Sequence, residues 1–206
     1  MSKRIVLWQV DVQQDFMLPG GKLYVPGAEK IIPNIRALVR ATESNGTLIV
    51  SSACAHAVDD PEFQIFGMHC VKGSKGAQIV RQGLKEDFLL VPNDQSFALP
   101  AAILDSPQII IEKQMLDVFS NPHASEIVER LGPEVEFVVY GVVTEFCVKC
   151  ASEGLLNRGR KVWIVGDAIE TLNAAEGNAT LTALQSSGAH LIDTDEAVRL
   201  VLQNPR

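Results

Sequence analysis

The stretch IVLWQVD, residues 5–11, is apolar through most of its length and ends in an acid. A strand with one wet face alternates apolar and polar residues. A run without that alternation belongs to a strand buried on both faces, as in a parallel sheet covered by helices. The same character returns in TLIVSS (47–52), IIIEK (109–113), EFVVYGVV (136–143), KVWIVGDAIE (161–170) and HLIDT (190–194). Helical patterns separate these runs. In residues 27–46, Ile31, Ile35, Leu38 and Val39 recur at helical spacing, with Gly46 suited to a C-terminal cap. Further helices are expected over 125–132, 145–159 (closed by Gly159), 174–188 and 195–203. Strands alternating with helices define an α/β fold. The expectation is a three-layer α/β/α sandwich around a mostly parallel, six-stranded, Rossmann-like sheet.

Composition agrees with such a core. The 206 residues are 47% apolar and 21% charged, a globular balance, and the length suits a single domain spanning 1–206. The net charge is −7 and no Lys/Arg cluster stands out, which argues against a nucleic-acid partner. The start MSKRIVLWQVDVQQDF resembles a signal peptide, but Gln9 and Asp11 interrupt its apolar run. No apolar stretch approaches the roughly 20 residues needed to span a membrane. Four cysteines without a signal sequence fit a reducing cytoplasm better than a disulfide scaffold. Only residues 53–108 lack clear periodicity. A loop of that size is usually functional, and short helices are expected within it.

In open parallel sheets ligands bind beyond the carboxyl ends of the strands. Asp11 ends the first strand, Cys54 and His56 follow the second, Lys113 ends the third, and Cys147 follows the fourth. Cys147 falls in the first turn of its helix, where the helix dipole favours a thiolate, a nucleophile for acyl transfer. A small buried thiol is the plain alternative. Asp11 suits a general base or a structural ion pair, and Lys113 suits an electrostatic partner or a solvated strand end. Cys147 and Cys150 also read as a C-x-x-C redox pair, although such motifs usually follow an early strand and this one follows the fourth; otherwise Cys150 faces the core. His56 and His69, with a cysteine or carboxylate, can bind a divalent metal or simply hydrogen-bond. The GSKGA run (73–77) lacks a phosphate-loop pattern and reads as a turn.

VDVQQDF at 10–16, HCVKGSKGA at 69–77, EK at 112–113 and GVVTEFCV at 141–148 together resemble the cysteine hydrolases of the isochorismatase-like superfamily, in its nicotinamidase-like branch. The resemblance covers nearly the whole chain in the right order. It implies a catalytic aspartate at Asp11, a lysine at Lys113 and a nucleophilic cysteine at Cys147, acting on a small-molecule amide through a thioester. It implies an oxyanion hole from the backbone amides of Val143 and Cys147, and a cis Val142–Val143 peptide bond. Phe16 matches a pocket-lining phenylalanine, and Phe66 an aromatic that stacks on the substrate. Isochorismatases lack a cysteine at the position of Cys147, so its presence points to amide, carbamoyl or imide substrates. Nicotinamidases carry Asp-x-His and a later histidine as metal ligands; here Cys54 stands for that aspartate, with His56 and His69 matching the histidines. A divalent ion such as zinc is therefore held by Cys54, His56 and His69 or is absent, and absence would favour an N-carbamoyl or other small amide over nicotinamide. Glu145 replaces the usual aspartate in the Thr-Asp-aromatic-Cys motif. Self-association into a dimer or tetramer is also expected.

Overall fold

The computed structural model describes residues 4–204. Seven strands form one sheet: β1 (Arg4–Val10), β2 (Ile49–Cys54), β3 (Leu89–Val91), β4 (Gln108–Lys113), β5 (Val135–Val142), β6 (Lys161–Glu170) and β7 (His190–Ile192). Their order is β3-β4-β2-β1-β5-β6-β7, and every pairing is parallel. The sheet has one strand more than the sequence predicts. Strand β3 is a three-residue edge piece inside the aperiodic segment, too short to carry a repeat of its own.

Burial on both faces explains the unbroken apolar runs. In β1, Val6, Trp8 and Val10 pack to one side, and Ile5 and Leu7 to the other. The first side meets α4 (Ala124–Arg130), α5 (Lys149–Asn157) and α6 (Ala174–Ser186) through Ile127, Val128, Ala151, Leu155 and Leu184. The second meets α2 (Ile32–Ala41) and α7 (Thr194–Gln203) through Ile35, Leu38, Val39, Ala197 and Val201. Two short helical turns, α1 (Gln14–Met17) and α3 (Phe63–Phe66), stand near the carboxyl edge of the sheet.

Helix ends follow local chemistry. The apolar stripe of α2 is as predicted, but the helix stops at Ala41, where the Thr42 hydroxyl donates to the Val39 carbonyl at 2.7 Å. Gly46 then turns the chain at φ 72°. Asp193 and Glu196 form a capping box at the start of α7.

Gly141 governs the site end of β5. Its φ is +123°, and a Cβ there would lie 2.0 Å from the Val10 carbonyl oxygen. Only glycine lets β5 approach β1 this closely, and the β5–β6 register shifts at the same point. The Val142–Val143 bond that follows is cis, as the family resemblance implies.

Candidate active site

Parallel pairing places the carboxyl ends of β4, β2, β1 and β5 side by side, with Cys54 opposite Lys113 and Val10 opposite both Ser52 and Gly141. The four reactive positions read from the strand ends therefore meet. Asp11 leaves β1 in a left-handed conformation, φ 48°, which aspartate tolerates better than bulkier residues. Its Oδ1 accepts the Ser52 hydroxyl at 2.7 Å, and its Oδ2 lies 2.9 Å from Lys113 Nζ. Lys113 Nζ also donates to the Met115 carbonyl at 3.0 Å and faces two sulfurs, Cys54 at 3.2 Å and Cys147 at 3.5 Å. An ammonium has three N–H groups, so the two sulfurs share the third.

Asp11 and Lys113 are each 1% exposed, and Cys147 is buried beside them. A buried ion pair adds little net stability, because desolvation offsets most of the attraction. Burial works against the Lys113 ammonium, yet the Asp11 carboxylate and both sulfurs outweigh it and raise its pKa well above the usual lysine value. Burial pushes the Cys147 thiol well above its usual range; Lys113 opposes this, and Asp11 and Cys54 push it further up. The expected dipole-stabilised thiolate is thus corrected. Residues Thr144–Val148 form a wide π-turn ahead of α5, and Cys147 is enclosed there beside a carboxylate.

Cys147 opens onto an apolar hollow of about 50 Å³. Phe16, Phe66, Val143 and Cys147, the pocket and oxyanion positions that the resemblance implies, all line it. Cys54 and His69 line it as well; Leu23, Val25, Leu116, Phe146, Leu172 and Glu62 complete it and were not singled out from the sequence. Cys150 lies on α5 outside this lining and is half-buried, where a core-facing position was expected. Both it and Cys147 are free thiols.

Cys54, His56 and His69 come together as expected, with one donor atom from each lying within 4.8 Å of the others. His56 Nδ1 bonds Asp60 Oδ2 at 2.9 Å, and His69 Nδ1 bonds the Gly67 carbonyl at 2.8 Å, which leaves both Nε2 atoms available. His56 Nε2 is buried with no hydrogen-bond partner among the described residues. A carboxylate-oriented ring with a free second nitrogen is the usual metal-ligand arrangement. Burial keeps His69 below the ordinary histidine pKa, hence neutral and able to ligate. One sulfur and two imidazoles with an open fourth position suit zinc. The residues present therefore fit one divalent ion.

Sequence reading missed the supports. Gln13 holds both backbone groups of Cys54: its Nε2 donates to the Cys54 carbonyl, and its Oε1 accepts the Cys54 N–H, each at 2.7 Å. Asp15 accepts the Cys70 N–H at 2.7 Å, fixing the chain beside His69. Asn121 holds the Glu112 carbonyl at 2.8 Å, next to Lys113. A buried amide or acid in an apolar stretch was the available signal, since such groups must find partners.

This arrangement, a lysine between a carboxylate and a thiol at the carboxyl edge of a parallel sheet, defines an α/β protein with a buried cysteine set beside an Asp–Lys pair. The chain matches the Isochorismatase domain over residues 6–196 and belongs to that family. It is 24% identical over 202 residues to the nicotinamidase of Escherichia coli (strain K12), covering 87% of this chain and 89% of that one. It is 26% identical over 78 residues to isochorismatase domain-containing protein 2 of Danio rerio, spanning 38% of this chain and 40% of that protein. Among solved structures, the pyrazinamidase of Pyrococcus horikoshii in complex with zinc superposes with a TM-score of 0.75 at 26% identity, covering 92% of this chain and 99% of that one. Among the described residues no helix is long and apolar enough to cross a membrane.

Proposed function

We propose that the protein is a cysteine-dependent amidohydrolase that cleaves the C–N bond of a small, nicotinamide-like amide. The observation that carries this reading is the Lys113 ammonium held 2.9 Å from Asp11 and 3.5 Å from Cys147, which lines an apolar hollow. The family membership and the nicotinamidase relative support it.

Cys147 rests as a thiol and needs a base. Asp11 takes its proton as the sulfur attacks the amide carbon. The charge that develops on the carbonyl oxygen faces the backbone N–H groups of Val143 and Cys147. Asp11 then returns the proton to the departing nitrogen, so ammonia leaves and a Cys147 thioester remains. Asp11 next removes a proton from water as its oxygen attacks the thioester carbon; the C–S bond breaks, the carboxylic acid leaves, and Asp11 returns the proton to the Cys147 sulfur. Lys113 stays charged throughout and steadies the carboxylate and the sulfur in turn.

Cys54, His56 and His69 would hold a divalent ion, which would supply a Lewis-acidic anchor for a lone pair on the substrate. Phe16 packs beside His69, with ring centroids 5.4 Å apart. Phe66 meets Phe146 edge-on at 6.0 Å across the hollow.

The test is ammonia release from nicotinamide by purified protein, with Cys147→Ala as control. Release by the wild type that falls by at least about a thousandfold in the variant is expected for loss of a covalent nucleophile. Equal release from both proteins would sink the assignment.

A further inference from the structure

We infer that the protein carries a second small-molecule site, a cavity at the β3–β4–β2 edge of the sheet that takes a small cationic ligand, an ammonium on a ring-sized apolar body. The cavity measures about 210 Å³. Strand register builds its wall. Ile110 and Glu112 stand two apart on β4 and so share one face; Leu90 pairs with Ile110, and Ala53 with Glu112. Ile109 and Ile111 pack to the other side of the sheet. On the Ile110 side the cover is the short segment 79–84 instead of a long helix. Ala53, Ile79, Ile110 and Leu84 form a small apolar cluster of their own there. Phe88 and Leu90 also line the cavity and are 46% and 44% exposed.

Size and charge define the ligand. An apolar cavity of about 150 Å³ takes a benzene ring, so this one accommodates a ring with a short arm. The Glu112 side chain is 8% exposed, and its Oε2 receives Lys72 Nζ at 2.6 Å. Lys72 is 58% exposed and is the one cation lining the cavity among the described residues. A largely solvated lysine leaves an ion pair at little cost, whereas a buried carboxylate without a cation is costly. A ligand ammonium therefore takes over from Lys72, or joins it, while its ring covers Ile79, Ile110 and Leu84. A ligand carboxylate would meet Glu112 instead. The cavity shares one lining residue, Cys54, with the hollow beside Cys147. Neither His56 nor His69 lines the cavity, so a divalent ion held by Cys54 and the two histidines would leave Glu112 to the ligand. The site stands whether or not Cys147 hydrolyses amides.

Three probes of similar shape and different charge test the proposal: 2-phenylethylamine, 2-phenylethanol and phenylacetate. Their affinities are read by titration calorimetry on the zinc-loaded full chain at about pH 8, where the amine is still mostly charged. The amine is expected to bind at least about tenfold tighter than the alcohol, and phenylacetate weakest of the three. Glu112→Gln should erase the advantage of the amine over the alcohol. Lys72→Ala should act in the opposite direction, tightening the amine several-fold and leaving the alcohol within about twofold. Lys72 is largely solvated, so this second variant keeps the test open should Glu112→Gln fold poorly. Equal affinity for amine and alcohol overturns the proposal, as does an amine affinity that neither variant moves. An amine that His69→Ala weakens and Lys72→Ala does not is seated in the hollow, which also overturns it. So does a dimer that Leu90→Asp turns into monomers, because a second copy of the chain would then cover the cavity.

Discussion

Two clusters share the carboxyl edge of the sheet and differ in how far each is satisfied. Around Lys113 every polar group has a protein partner: Asp11 holds the lysine and Ser52, and the lysine reaches Met115 and two sulfurs. Around the histidines the outer nitrogens are anchored, while His56 Nε2 is buried and has no partner among the described residues. The first cluster is complete as folded; the second has the form of a ligand set. Cys54 belongs to both, since its sulfur touches Lys113 and lies within ligand range of the two rings.

The sharpest test of this contrast removes one group from each side. Asp11→Asn leaves a buried, uncompensated ammonium, which costs about 3–5 kcal/mol of stability. It also removes the proposed proton shuttle, so hydrolysis should fall by at least about a hundredfold. Urea denaturation and initial rates check the two effects. His56→Ala in metal-free protein deletes a ring whose Nε2 has no hydrogen-bond partner among the described residues, and should cost clearly less stability than Asp11→Asn. Equal losses would break the contrast.

Zinc sharpens it from the other side. At about a hundredfold above its Kd, zinc should stabilise the wild type by about 2.7 kcal/mol, which raises the Tm of a chain this size by about 5–10 °C. The rise should vanish in His56→Ala and His69→Ala and persist in Cys147→Ala. A full shift in the histidine variants would place the metal elsewhere.

The titration of Cys147 separates the clusters by pH. Its pKa is raised by burial, against the pull of Lys113, so the thiol is the form present at neutral pH and the thiolate grows as pH rises. Alkylation by iodoacetamide in chelator should therefore climb about tenfold per pH unit through the ordinary thiol range. A plateau reached below neutrality would mean that the lysine and the turn dominate over burial.

What the sequence disclosed, and what it did not, follows the same physics. Unbroken apolar runs announce doubly buried strands, and the parallel sheet then fixes where Asp11, Cys54, Lys113 and Cys147 must meet. The edge strand Leu89–Val91 is too short to show a period. The π-turn at Thr144–Val148 reads as ordinary helix because its residue spacing is hidden until the bonds form. Gln13 and Asp15 escaped because their partners, Cys54 and Cys70, lie 41 and 55 residues away. Glu62 looked like one acid among several in an aperiodic segment; only the folded wall gives it a direction.

The smallest expected effect concerns that wall. Glu145 stands where the family motif usually has aspartate, and its longer side chain spans to the loop after β6. It accepts the Leu172 and Asn173 N–H groups at 2.9 Å each, and the Thr171 hydroxyl at 2.6 Å. Leu172 in turn lines the hollow. Glu145→Gln keeps the shape but offers one acceptor oxygen where the carboxylate offers two, and removes the charge that strengthens these bonds. A loss of about 1–2 kcal/mol is expected, or a few degrees in Tm. Leu172 is 51% exposed on the wall of the hollow, so a looser loop should raise KM several-fold and leave kcat within about twofold. A matched fall in kcat would instead mean that the clamp holds Cys147 itself through the π-turn that Glu145 shares with it.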